Sequence, residues 1–448
     1  MKTKTTTQKV SKMAAWLLPG LQIKRWFILI FLGTLLLFLG AMIFFNIHPI
    51  HISMELVRRI ALKTPSHLTA AFFITMGIFC FFFGWKNANM SILDAVSPKD
   101  KNDILETLYK RRMLNRGPKI VAIGGGTGLS TVLKGLKNLT NNLTAVVTVG
   151  DDGGSSGRLR EEMGVLPPGD IRNCIAALAD EEDLVTELFQ YRFNKGTGLE
   201  GHSFGNLFLS ALCAITGDMF TAIKESSKVL AIRGKVLPST LDDMRLIAEL
   251  EDGRVIQGES NIPRANGKIK KLYCEPKNPT ALPEVLDAIN NADFIIISPG
   301  SLYTSIIPNI LIEEIAEALS KSTSPKGYIC NVMTQPGETD NFTVSDHIKK
   351  ILDHSKYKDI IDTVFLNSEL PKNLADRYQK ADSFPVIFDE EEVKKLGVKI
   401  ITRKLIEENK QGFVRHCPRK LARITYVWYK NNFQDRSKSV EERSNSKI

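Results

Sequence analysis

The chain has 448 residues, 43% of them hydrophobic, and a formal net charge of +10. That length and apolar content exclude a disordered protein and allow two or three domains with a sizeable core. Six cysteines, Cys80, Cys174, Cys213, Cys274, Cys330 and Cys417, lie far apart without paired spacing, which argues against both a disulfide framework and a zinc site.

In chain order, the first features are two uncharged runs, 26–45 and 68–85. As helices they would reach about 30 Å and about 27 Å, enough to cross a bilayer. The first run is too long for the apolar part of a signal peptide, and no small-residue cleavage pattern follows it. Trp26 and Trp85 stand at the outer ends of the pair, where interfacial aromatics belong. Lys2, Lys4, Lys9, Lys12, Lys24 and Arg25 precede the first run without an acid, 86–119 is again basic, and the connecting loop carries only Arg58, Arg59 and Lys63 as cations. The positive-inside rule then predicts a multi-pass membrane protein with both termini and the main domain in the cytoplasm. Basic flanks beside anionic lipid account for most of the net charge, and no aromatic-studded basic motif points to nucleic acid. The expected organisation is a basic N-terminus (1–25), a transmembrane hairpin (26–85), a basic linker with a short helix around 100–115 (86–118), a main domain (119–433) and a disordered tail (434–448).

The main domain reads as α/β, a Rossmann-like doubly wound and mostly parallel sheet. A strand at 120–123, a helix over 128–138 and a strand over 143–149 make a compact βαβ unit. From 172 to 235 the apolar spacing is helical, in three segments broken near 194–201 and Gly217. Residues 256–273 suggest a small hairpin. Helices are predicted over 280–291, 308–320, 344–354 and 370–379, and strands over 294–297, 328–332, 363–367 and 398–402.

Four of these strands run into distinctive loops: 124–128, 150–157 and 298–305, rich in glycine and hydroxyls, and 333–339, of mixed polarity. In a parallel sheet they share one edge, where α/β sheets take their ligands, and glycine amides with hydroxyls suit phosphate oxygens. A phosphorylated, nucleotide-like ligand is therefore expected. Gly124, Gly125, Gly126 and Gly128 with Thr127 form the first cradle, although many phosphate-free turns need the same glycines. Asp151 and Asp152 either hold a hydrated Mg²⁺ and deprotonate an incoming hydroxyl or simply cap a turn. Arg158 and Arg160 fall on different sides of a helix, so one at most reaches a phosphate. Asp170 lies behind a rigid Pro-Pro-Gly turn and either caps the next helix or joins the site. His202 and Asn206, at i and i+4 of a helix start, are a candidate base and a ligand contact. Gly300, Ser301, Tyr303, Thr304 and Ser305 offer a second cradle, with Thr334 and Gln335 as further readers and Glu338 behind them.

Taken in order, IVAIGGGTGLSTVLKGLK, VTVGDDGGSSGRLR, PPGDIRN, GHSFGNLFL, SPGSLYTSIIPNIL and NVMTQPGET closely resemble the YvcK-type gluconeogenesis factors. These belong to the CofD-like superfamily, alongside 2-phospho-L-lactate transferases of deazaflavin coenzyme synthesis. The likeness runs from Lys119 to Asp389. It implies a nucleotide-binding domain with UDP-sugars as ligands and a role linking carbon metabolism to cell-wall synthesis and cell shape. It places the diphosphate on residues 124–128 and 298–305, and sets Asp151 and Asp152 where the transferases have metal-associated acids. The transferases do not continue their acidic loop with GGSSGRLR, and the typical family member is soluble and has no membrane hairpin. The expectation is a membrane-anchored, UDP-sugar-binding regulator that self-associates and meets cell-envelope synthesis proteins. The alternative is a Mg²⁺-dependent transferase of a phosphate-linked group from a nucleotide diphosphate donor. An NAD-dependent oxidoreductase fits less well, because Asp151, about 20 residues beyond the first glycines, sits in a glycine loop and not at a bare strand end.

Overall fold

The structure is a computed structural model that describes residues 112–180, 182–369, 378, 382–408 and 414–445, with three isolated positions nearer the start. Both uncharged runs, most of the basic helix around 100–115 and the helix expected over 370–379 lie outside the described residues. The chain divides into two compact units, Met1–Met113 and Leu114–Ile448, and the fold below is that of the second.

Seven strands form its central sheet: β1 (Ile120–Gly124), β2 (Leu143–Val147), β3 (Lys235–Pro238), β7 (Phe294–Ile297), β8 (Lys326–Ile329), β9 (Thr363–Asn367) and β10 (Lys399–Arg403). Their order is β10-β9-β8-β7-β1-β2-β3, and every neighbouring pair is parallel. β1 and β7 read as unbroken apolar runs and are buried at every position, as strands covered on both faces must be. Three more strands, β4 (Arg245–Leu250), β5 (Val255–Gln257) and β6 (Ile269–Glu275), make a separate antiparallel sheet, and β11 (Ile406–Glu408) and β12 (Val414–His416) a hairpin.

The helices are α1 (Gly126–Leu136), α2 (Gly154–Met163), α3 (Gly169–Leu178), α4 (Glu182–Gln190), α5 (Phe204–Thr216), α6 (Met219–Val229), α7 (Pro283–Asn290), α8 (Ile307–Leu311), α9 (Glu313–Lys321), α10 (Val344–Asp353), α11 (Glu390–Lys395) and α12 (Pro418–Asn445). α5 and α10 start where the sequence supplies caps: Ser203 accepts from the Asn206 amide, and Thr343 with Asp346 forms a full capping box. α12 lies on α1, and a Cβ at Gly135 would stand 2.1 Å from the Pro418 carbonyl oxygen. Its Tyr429 ring stacks on Phe294 at 4.9 Å and its Trp428 meets Phe365 edge-on at 5.3 Å.

Strand order reverses between β1 and β7, which makes the edge above them the sheet's switch point, the place where open α/β sheets hold ligands.

Some expectations need correction. The hairpin expected over 256–273 is not one: β5 and β6 both pair with β4 and not with each other. β4 (Arg245–Leu250) is the middle strand, and its alternating burial shows that one face of this sheet is covered. The expected disordered tail lies on α12 as far as Asn445. Among the described residues no single helix is long and apolar enough to cross a membrane; α5 and α6 meet that test only as a pair bent by 117°.

Candidate functional site

The crevice is built from the loop after β1 and the loop after β7. Gly126 has φ +59°, the left-handed region in which glycine avoids a Cβ clash. At Gly128 the constraint is space: a Cβ would stand 1.8 Å from the Pro299 carbonyl oxygen, so only glycine lets the two loops meet. Ser305 faces this junction, with its hydroxyl 3.7 Å from where a Gly126 Cβ would be and 4.0 Å from that of Gly300. Asn331, just past β8, clamps the β7 loop by accepting from the Gly300 amide (2.9 Å) and donating to the Gly300 carbonyl (2.7 Å).

Several residues expected to read a ligand are instead occupied in shaping these loops. The Ser301 hydroxyl donates to Glu338 and accepts from the Thr304 hydroxyl at 2.7 Å. Gln335 gives its side-chain amide to the other oxygen of Glu338 (2.5 Å). The Thr334 hydroxyl accepts from the Phe384 amide at 2.9 Å. Tyr303 is fully buried, its ring edge-on to Phe342 and His354 and its hydroxyl 3.5 Å from the Ile269 carbonyl. It is a core residue and does not face the crevice. Burial pushes the Glu338 carboxyl up to about 7 against the hydrogen bonds from Ser301, Tyr303 and Gln335.

The acidic side of the crevice is less satisfied. Asp170, in the first turn of α3, lies on the glycine loop: its carboxylate is 2.6 Å from where a Gly125 Cβ would be and accepts from the Gly126 amide. Burial and the nearby Asp151 charge raise it to about 6. Glu259, beside the Thr304 hydroxyl, is raised to about 7 by burial and by Asp151, Asp152 and Glu338. Asp152 is a tether: it accepts from the Glu259 amide (2.8 Å), the Ser260 amide (2.9 Å) and the Ser260 hydroxyl (2.6 Å). Asp151 accepts from the Gly153 amide at 2.9 Å and turns its other oxygen toward Gly169. Both oxygens of Asp152 are thus bonded within the protein, and among the described residues no group of three or more His, Cys, Asp or Glu is arranged to hold a metal.

His202 and Asn206 do come together, on the first turn of α2. The buried His202 Nδ1 lies 3.0 Å from the Ser155 hydroxyl, and the Asn206 amide donates to Ser155 at 3.1 Å. Arg172 donates to the Asn206 carbonyl at 3.0 Å, fixing which way that amide points. Burial and the Arg158 charge lower the pKa of His202. Neither arginine of the acidic loop approaches the glycines: Arg158 donates to the Glu200 carbonyl, and buried Arg160 binds Asp243 and the Met244 carbonyl.

A cavity of about 500 Å³ opens beside the crevice, lined by Thr127, Gly128, Gly300, Asn331, Thr334 and Gln335 and closed by Arg415 and His416 of β12. It has the size of a small-molecule site. A larger depression, about 910 Å³, lies over β4 and β6, away from the glycine loops. His416 is 8% exposed, one ring nitrogen is bonded to the Cys330 backbone, and Nε2 has no partner among the described residues. Burial lowers its pKa to about 4, so at neutral pH Nε2 is a dry hydrogen-bond acceptor beside the cavity. Sequence reasoning missed Arg415 and His416 because a lone Arg-His pair after a short polar stretch carries no local signature. Asn331 had one, a polar residue just past a buried strand.

A doubly wound parallel domain with glycine-rich loops at its switch point defines the class of protein. The family model described as 2-phospho-L-lactate transferase CofD matches residues 120–406. A Nostoc sp. protein bearing the gluconeogenesis-factor name is 52% identical over 95% of this chain and 94% of its own length. The Bacillus subtilis gluconeogenesis factor is 51% identical over 69% of this chain and 98% of its own. The crystal structure of protein BH3568 from Bacillus halodurans superposes with a TM-score of 0.66 at 48% identity, covering 69% of this chain and 99% of that one. The chain belongs to the CofD family and, within it, to the YvcK-type gluconeogenesis factors.

Proposed function

We propose that this protein binds a UDP-sugar at the β1/β7 crevice and acts as a membrane-anchored, cytoplasm-facing regulator that ties carbon metabolism to cell-wall synthesis and cell shape. The observation that carries the binding reading is the convergence of the β1, β7 and β8 loops with β12 on one cavity of about 500 Å³. Glycine amides and the Ser305 hydroxyl supply donors for phosphate oxygens on one side. On the other, Arg415 supplies a cation, and neutral His416 an acceptor for a hydroxyl or N–H of the nucleoside or sugar. On the β7–β8 side Ser301, Thr334 and Gln335 are bonded within the protein, which favours binding over turnover there.

A transferase remains the second reading, favoured by Asp170. A carboxyl that titrates near 6 beside the glycine loop is suited to exchange a proton with an acceptor hydroxyl at neutral pH. Calorimetric titration of the full chain with UDP-N-acetylglucosamine, followed by analysis of the mixture, separates the two. Saturable binding with the nucleotide sugar intact is expected; cleavage would favour the transferase, and no heat at all would remove the UDP-sugar.

Anchoring rests on the two uncharged runs. The Nostoc relative spans this part of the chain as well, whereas the Bacillus subtilis relative matches only 69% of it. Resistance of the full chain to alkaline extraction from membranes is the expected result, and release into the supernatant would refute it.

A further inference from the structure

The structure carries an interaction surface that the nucleotide reading does not use. In α12 the core-facing side is Leu421, Ala422, Thr425 and Trp428, all buried. The opposite side presents Arg419, Arg423 and Lys430, all exposed. At 100° per residue these three fall within about 40° of one another, a single stripe along the helix. Lys420 and Val427 border it on one side, the Lys420 ammonium 2.8 Å from the Ile406 carbonyl and the Val427 side chain apolar and 41% exposed. No acid occurs between Pro418 and Gln434, and none of Arg419, Arg423 or Lys430 forms an ion pair with a described residue. This contrasts with α11, whose Lys394 and Lys395 are paired with Glu390 and Glu392.

We infer that this face of α12 docks on an anionic lipid bilayer. Unpaired cations in a row, with an aliphatic side chain beside them and no acid, match a layer of anionic headgroups over a shallow apolar zone. The stripe is preformed. Packing of Trp428 on Phe365, Tyr429 on Phe294 and Pro418 over Gly135 holds the helix whether or not a membrane is present, so docking needs no folding of a disordered segment. A protein partner would need an apolar core to its interface, and Val427 alone does not supply one. A single-stranded nucleic acid would need stacking platforms. The inference goes beyond the proposed UDP-sugar site and draws on the anchoring reading only in this: a nearby bilayer raises the effective concentration of lipid at the stripe.

The test uses residues 112–448, a fragment long enough to hold the 69% of this chain that matches nearly the whole of a Bacillus halodurans protein crystallised on its own. Sedimentation with vesicles of phosphatidylcholine alone is compared with vesicles containing about 30% phosphatidylglycerol, at low salt and at about 0.5 M. Binding is expected only to the anionic vesicles and only at low salt. At on the order of fivefold per cation, Arg419→Glu with Arg423→Glu and Lys430→Glu should lower the partition coefficient at least ~100-fold. The milder triple replacement by Gln should fall between, with an unchanged melting curve certifying the fold. Equal binding to neutral vesicles, binding that survives charge reversal, no binding, or a preference for RNA over anionic vesicles would each overturn the inference. Because the fragment lacks both uncharged runs, this result is independent of the extraction experiment on the full chain.

Discussion

The two walls of the crevice are built on opposite terms. On the β7–β8 wall the polar side chains spend their hydrogen bonds on each other: Ser301 and Gln335 on Glu338, Asn331 on Gly300, Thr334 on Phe384. On the wall around α2 and α3, burial and Asp151 raise Asp170, and the neighbouring Glu259 is raised by burial, by Asp151 and Asp152 and by Glu338 from across the crevice. The first wall gives the ligand a shape, with backbone amides as donors. The second stores unfavourable charge that a ligand, proton or cation can relieve. A site therefore need not expose its most polar residues, since the conspicuous hydroxyls of the β7 loop are there to hold glycine and serine backbone in place.

The largest effect that would break this division is on the shaping wall. Gly128→Val drives a side chain into the Pro299 backbone carbonyl and should cost about 4 kcal/mol or prevent folding; chemical denaturation reads this, and a loss under about 1 kcal/mol would mean the loops do not need to touch. Glu338→Ala leaves the Ser301 hydroxyl, the Tyr303 amide and the Gln335 amide without their acceptor, and should cost about 3 kcal/mol. Ligand affinity should fall with it, although Glu338 touches no ligand in this account.

On the charged wall the sign reverses. The folded state raises Asp170 from the ordinary carboxylate range to about 6, so it binds the proton more tightly than the unfolded chain does. Its contribution favours folding below about pH 4 and is lost as the pH rises through about 6. Asp170→Asn should therefore stabilise the free protein at pH 7.5 by on the order of 2 kcal/mol, with the gain vanishing near pH 4. Melting curves at the two pH values check this. Destabilisation at both would show that Asp170 is a structural cap, the other sequence reading.

How much of this was legible in the sequence follows from the range of each interaction. β9 was placed at Thr363–Asn367 and a helix over 344–354, where α10 spans Val344–Asp353, because apolar spacing acts within a few positions. The glycine loops were found because their spacing against the strands is local too. The commitments of Asp152 to Ser260, Ser301 to Glu338 and His202 to Ser155 span 108, 37 and 47 residues, and nothing local distinguishes a serine free to meet a phosphate from one already bonded. Tyr303 was placed on the ligand for the same reason: it lies in a loop with Gly300 and Ser305, which do meet the glycine loop, but within the turn Leu302–Ile306 its ring packs in the core.

The smallest predicted effect is the most selective one. His416 belongs to neither wall; it enters from β12, beyond residue 406 where the family match stops. Its unpartnered Nε2 costs the free protein something, since a buried acceptor has left water without a replacement. A ligand donor would repair that, so the same atom that weakens the free state strengthens the complex. His416→Phe keeps the ring but removes both nitrogens, the Nε2 acceptor and the one that bonds the Cys330 backbone. Losing the Cys330 bond costs about 1 kcal/mol and losing the orphaned acceptor returns a similar amount, so the variant should melt close to the wild-type temperature while binding UDP-N-acetylglucosamine about tenfold more weakly, a loss near 1.4 kcal/mol. An affinity loss without a matching stability loss is what an acceptor held ready for a ligand predicts. Unchanged affinity would show that the cavity is read by Arg415 and the glycine amides without Nε2.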